Sequence, residues 1–301
     1  MTVQNSATGA ASIAVGSRAG GTVLAGLGVA VFSATFPATH WALTGFGPWT
    51  ATTVRGVLAA AVAAVCLTAA RVPVPDRRHW PGLAVVALGV VLGFPLLTTL
   101  ALRTTDTSHA AVVVGALPLV TAVLAAVRVG TRPSKAFWSA AVAGGAVVAG
   151  FALWQGGGAL TTGDLFLFAS LLVCAAGYVE GGRLASVMPG WQVIGWALVG
   201  ALPLTAPAAG VALALEPVHP GGQAVAGLLW VSLVSQFLGL MVWYRGLAAV
   251  GVARASQLQL AQPLLTLAWS AALLGEDLGA LTAPAALAVL VCVAVTQRAR
   301  S

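Results

Sequence analysis

The sequence predicts an all-α integral membrane fold of ten transmembrane helices, arranged as two inverted five-helix repeats. Three observations carry that expectation. Of 301 residues, 59% are hydrophobic and only 7% are charged, where a soluble domain carries roughly 25% charged residues. The chain divides into apolar runs of about 20 residues, the length that crosses a bilayer. One stretch of the chain also recurs at a constant offset of 145 residues.

So few charges leave a globule of this size unable to cover its surface in water. The composition therefore excludes an ordinary cytosolic enzyme, a disordered chain and a nucleic-acid binder, despite the formal charge of +7. Cys66, Cys174 and Cys292 all fall inside apolar runs, which speaks against a disulfide framework or a zinc site. Stretches such as Ala59 to Val65 do not alternate in polarity, as the strands of a membrane barrel would. Helices satisfy every backbone group within the segment and are the better solution in lipid.

Charge, Pro and Gly clusters cut the chain into ten spans: 21–43, 50–70, 81–102, 107–127, 136–155, 163–183, 191–212, 222–245, 252–274 and 280–297. Residues 1–20 form an expected cytoplasmic tail, without the charged start and cleavage site of a signal peptide. The connections are short. If the N-terminus is cytoplasmic, Arg18, Arg71, Arg77, Arg78, Arg128, Arg132, Lys135, Arg183, Arg245, Arg254, Arg298 and Arg300 all fall inside. Outside lies only Arg103, and Arg55 sits within a span. Lys/Arg bias of this kind sets orientation, so both termini are expected in the cytoplasm. Asp106, Asp164, Glu216, Glu276 and Asp277 fall outside. The basic loops face anionic lipid heads.

The repeat lays residues 102–130 on 247–275 with eight of 29 positions identical. The pairs Pro118/Pro263, Leu119/Leu264, Thr121/Thr266 and Gly130/Gly275 are the informative ones; Ala and Leu matches are cheap in this chain. The repeat implies halves at 21–155 and 163–297. Five spans is an odd number, so the second half enters the membrane inverted. Inverted repeats are characteristic of secondary transporters, with the substrate site near the midplane between the halves.

These residues resemble a known family. Ala116-Leu117-Pro118-Leu119-Val120-Thr121-Ala122 in the fourth span and Gln262-Pro263-Leu264-Leu265-Thr266, followed by Leu274-Gly275-Glu276, in the ninth are similar to the EamA-type exporters of the drug/metabolite transporter superfamily. Gly163-Asp164 opening the sixth span and Arg55 early in the second fit the same pattern. The resemblance covers essentially the whole chain. It implies export of amino acids, metabolites or drugs, no catalysis, no cofactor, and residence in the plasma (inner) membrane of a bacterium. Where the family has Gly-Glu at the end of the fourth span, this chain has Gly130-Thr131. An acid there is thus not needed in both halves, and Glu276 reads as a helix-end device.

Several polar residues are candidates for the substrate path. Ala255, Gln259, Gln262, Thr266 and Trp269 recur at steps of four, three, four and three, which puts them on one helical face. Two glutamines at membrane depth are costly in lipid; they either line the path or hydrogen-bond across helices. Ser232, Gln236, Gly239 and Trp243 form a similar stripe in the eighth span, with Tyr244 beside it. Trp243 is read as cavity lining or as interfacial belt.

In the first span, Pro37 removes a backbone donor and frees the carbonyl of Ser33, exposing polar backbone at depth. Thr35 and Phe36 sit near mid-membrane. His40 lies toward the outer face, as a titrating gate or as an interface histidine. Phe94, Pro95 and Thr98 interrupt the third span, and Pro118 and Pro263 are hinge candidates with Pro37 and Pro95. Glu180, with Tyr178 two residues earlier and Arg183 three later, is either a proton carrier or half of an ion pair. Arg55 either neutralises a substrate carboxylate or snorkels and ties helices together.

The expected partners are a small-molecule substrate, the bilayer and protons, with no nucleic acid, in a monomer or homodimer. No Walker, HExxH or GxSxG motif occurs, so neither ATP hydrolysis nor intramembrane catalysis is indicated. A cavity of Gln, Thr, Tyr and Trp suits an amphipathic or aromatic substrate better than a polyanion. The leading reading is a secondary-active exporter working by alternating access; the alternative is a passive facilitator, a channel or a lipid flippase. If Gln259 and Gln262 line the path, replacing each with Leu abolishes transport and leaves membrane levels intact. Normal flux through both variants is the contrary result.

Overall fold

In a bilayer the backbone finds no water, so each apolar run must pair its own N–H and C=O groups, and it does so as a helix. The computed structural model describes residues 18–129, 133–250 and 258–299. Eight helical runs are long and apolar enough to cross a membrane. They are α1 (Gly20–Leu43), α2 (Pro48–Ala69), α3 (Arg77–Ala101), α4 (Thr107–Arg128), α5 (Lys135–Gln155), α6 (Thr162–Leu184), α7 (Gly190–Leu215) and α8 (Gly222–Trp243). Two further apolar helices, α9 (Ala261–Leu274) and α10 (Thr282–Arg298), are shorter. No strand occurs among the described residues. The tail before Arg18, Gly130, Thr131, Arg132, Arg254, Ala255 and Arg300 lie outside the described residues, as do the side chains of Arg18, Tyr244 and Leu247.

The most extensive pairings join the first five helices to the last five: α1 with α8, α2 with α7, α3 with α6, and α5 with α10; α4 packs on both α6 and α9. With the packing of α9 on α1 included, exchanging each helix with the one five places on maps this set of pairings onto itself. Two regions of wider π-helical turn obey the same exchange, Ala87–Gly93 in α3 and Trp230–Gly239 in α8. Such turns inside α-helices recur at functional sites.

Small residues set the closest crossings. A Cβ on Gly89 of α3 would strike the carbonyl oxygen of Val173 in α6. A Cβ on Gly28 of α1 would stand 3.1 Å from Trp243 Cβ. Close backbone approach of this kind replaces the hydrophobic drive that lipid cannot supply. One apolar cluster is built on α4, α5, α6 and α10, and a second on α2, α3 and α7.

Proline shapes two of the helices directly. Pro37 has no N–H for the carbonyl of Ser33, and α1 breaks into a turn at Ala34. The freed carbonyl is not left open, as the sequence reading expected. Thr266 Oγ1 of α9 donates to it at 2.9 Å, and Trp269 Nε1 donates to Ser33 Oγ at 2.9 Å. In α3, Pro95 likewise cannot serve Val91, whose carbonyl oxygen lies 3.4 Å from Gln236 Nε2 of α8.

Thr266→Val removes the donor and strands a buried carbonyl. It should lower the unfolding free energy by about 1–3 kcal/mol, read as a lower melting temperature of the purified protein. Thr266→Ser keeps the hydroxyl and should recover most of the loss.

Candidate functional site

Helices α1, α2, α3, α4, α6, α8, α9 and α10 and the segment running into α9 surround a cavity of about 300 Å³. Its polar wall comes from Thr35, Arg55, Thr121, Tyr178, Ser235, Gln236, Gln259, Gln262, Thr266 and Gln297. Phe32, Phe36 and Phe94 supply aromatic surface, and Pro118 and Pro263 both line the cavity. The mate of Thr266, Thr121, has a buried Oγ1 without a hydrogen-bond partner among the described residues.

Local structure explains how these side chains arrive there. Breaks at Gly115-Ala116 and at Leu260 precede Pro118 and Pro263. Each proline leaves the carbonyl four residues earlier, on Val114 and on Gln259, without its helical donor. Both residues line the cavity. Thr35 Oγ1 and Ser235 Oγ share a hydrogen bond of 2.7 Å across α1 and α8. Arg55 Nε donates to Gln236 Oε1. The Gln236 amide thus bridges Arg55 of α2 and the backbone of α3.

Of the residues singled out in the sequence, the structure gathers Thr35, Phe36, Phe94, Tyr178, Gln236, Gln259 and Gln262 on this wall, with Pro118 and Pro263. Six others lie elsewhere. Trp243 packs on Ala25 and Val29 and stands edge-on to Phe32, with ring centroids 6.4 Å apart. Leu240 still lines the cavity, but the π-helical turns of α8 carry Trp243 off the face of Gln236, so the α-helical step count misplaces it. Thr98 is buried but turns its hydroxyl back onto Phe94 O at 2.7 Å. Pro37 and Pro95 sit on the adjoining turns of α1 and α3 and not on the wall. His40 is exposed and borders a second recess of about 480 Å³ with Arg103 and His219.

Glu180 is the sixth. It is buried away from the cavity, where its Oε1 accepts from Arg183 Nε at 2.8 Å and its Oε2 lies 2.6 Å from Arg128 Nη2. The geometry is that of a tie between α4 and α6, with Gly82 of α3 against the carboxylate.

Sequence reasoning missed one buried polar cluster and left another residue undecided. His109 Nε2 and Asp164 Oδ1 share a hydrogen bond of 2.6 Å. Asp164, expected at the outer start of the sixth span, is fully buried, and it also accepts from Thr161 N at 2.8 Å. The His109 ring stacks on Phe151 with centroids 5.2 Å apart. A histidine within a span is itself a signal, and this one went unused. Arg55, left between two roles, is on the cavity wall. Glu276 accepts from the N–H groups of Thr107 and Ser108 at 2.9 and 2.8 Å, at the start of α4. Glu216 accepts from Trp49 and Thr50 at the start of α2.

A bundle of lipid-length helices around one polar cavity is the architecture of a protein that handles solutes within the membrane. The EamA-like transporter family model matches residues 19–153 and again residues 161–297. A protein of Bacillus subtilis (strain 168) named "Uncharacterized transporter YdeK" is 43% identical over 272 residues, covering 90% of this chain and 95% of that protein. A solved crystal structure aligns with a TM-score of 0.63 at 20% identity, over 93% of this chain and 96% of the other, and so shares the fold. The chain belongs to the EamA-like transporter family. It is a membrane transporter and not an enzyme.

The Glu180 tie has a measurable signature. Glu180→Gln and Arg128→Met should each lower the melting temperature. Combining them should cost less than the sum, with a coupling of about 1 kcal/mol or less because the Arg128 side chain is half exposed. Strict additivity would mean that the two side chains do not act together.

Proposed function

We propose that this protein is a secondary-active exporter of a small metabolite, amino acid or drug, working by alternating access through the cavity between residues 21–155 and 163–297. The chain crosses the inner membrane of a bacterium ten times, with both termini in the cytoplasm and the second half inverted. It works as a monomer or homodimer, and an ion gradient, that of protons first, drives the substrate out.

One observation carries this reading: a polar cavity bounded by helices of both halves. A pathway closed by two rocking halves needs its site on the surface they share. The interruptions add to it. Helix breaks at Gly115-Ala116 and Leu260, each just before a repeat-mate proline, and π turns in α3 and α8 are places where such helices bend at modest cost.

The test is flux in proteoliposomes, with a panel of amino acids and metabolites and an imposed pH gradient. Saturable flux that follows the gradient is expected. Thr121→Trp, which fills the cavity, should abolish it at unchanged protein level. Non-saturable leak would make the protein a channel, and saturable flux indifferent to the gradient a facilitator; either overturns the proposal.

A further inference from the structure

Arg55 is the one charged residue on the cavity wall among the described residues. It is 7% exposed and forms no ion pair with any described carboxylate. Its Nε is taken by Gln236, while its two terminal nitrogens hydrogen-bond no described residue. Gln236 is fixed in turn, its amide oxygen toward Arg55 and its amide nitrogen toward Val91 O. That arrangement aims the guanidinium and holds it, without neutralising it.

A buried cation is costly unless an anion meets it. Here the protein supplies only neutral dipoles, so the missing partner belongs to what enters the cavity. We propose that Arg55, oriented by Gln236, is the binding subsite for the carboxylate of a small organic acid or amino acid. This rests on the transporter reading of the same cavity and narrows its substrate class.

The chemistry of the wall selects among anions. A guanidinium offers a planar fork that matches a carboxylate with two parallel hydrogen bonds. A phosphate monoester carries a second charge, and no second cation stands on the described wall to meet it. Cationic drugs meet a like charge. The remaining wall offers hydroxyls, amides and aromatic rings from Thr35, Thr121, Tyr178, Gln259, Gln262 and Phe94. These suit an uncharged or ammonium-bearing body behind the carboxylate.

The experiment uses wild-type protein in detergent and matched probes: aliphatic and aromatic monocarboxylates and α-amino acids, each beside its carboxamide, with phenyl phosphate added. Binding is read by thermal stabilisation over a concentration series. The acids are expected to bind at least about tenfold more tightly than their amides, and phenyl phosphate no better than the amides. Amides that bind as well as their acids, preferential binding of the phosphate, or no stabilisation by any acid overturns the proposal.

Arg55→Lys should keep the preference for acids at lower affinity, and Arg55→Met should bring the ratio to one. The wild-type ratio decides even if Arg55→Met does not fold. Transport blocked by Thr121→Trp together with an acid-to-amide ratio of one removes the carboxylate subsite and leaves the transporter reading intact. Flux unaffected by Thr121→Trp removes the cavity reading itself.

Discussion

A backbone carbonyl that loses its donor inside hydrocarbon has no water to turn to, and the architecture follows from how this chain answers that constraint. Pro37 and Pro95 each free a carbonyl in the first half. The second half answers both, through Thr266 and Gln236. A helix broken in one half is therefore completed by a side chain from the other. Pro118 and Pro263 free carbonyls on Val114 and Gln259, and these two residues border the cavity instead. The same device thus seals the bundle in one place and roughens the cavity wall in another.

Gln236 lies where the two outcomes meet. It reaches the backbone of α3 and the guanidinium of α2 from a π-helical stretch of α8. A regular α-helix would carry fewer residues per exposed face here. The wider turn lets Ser235 and Gln236 both reach the wall while Gly239 backs onto Val31 and Phe32 of α1.

Much of this was legible in the residues. Lipid imposes a length and a polarity on each crossing, so apolar runs could be marked out; part of the run that suggested α9 lies outside the described residues, and α10 is shorter than any of α1 to α8. The freed carbonyl of Ser33 was legible because a proline's missing N–H is a local fact. Its partner was not, because Thr266 lies 233 residues away and meets it only through packing. The same holds for His109 and Asp164, 55 residues apart. Periodicity found Gln236, Gln259 and Gln262, and it failed at Trp243 because π turns leave no mark in composition. The sequence showed the acids only as a charge bias between alternate loops; that Glu216 and Glu276 sit on the positive ends of α2 and α4 required the fold.

The pairing of helices between halves also bears on biogenesis. The first five helices emerge from the ribosome before any of their main partners has been made: α1 waits for α8, α2 for α7 and α5 for α10. Until then, faces carrying Gly28, Arg55 and Gly89 meet only lipid or the translocation machinery. Pairing between the halves therefore starts only once α6 has been made, and α7 on α2 and then α8 on α1 close successively longer stretches of chain. A ribosome stalled after α5 leaves a set of inserted helices and no folded core, which makes the early chain a natural client for membrane quality control.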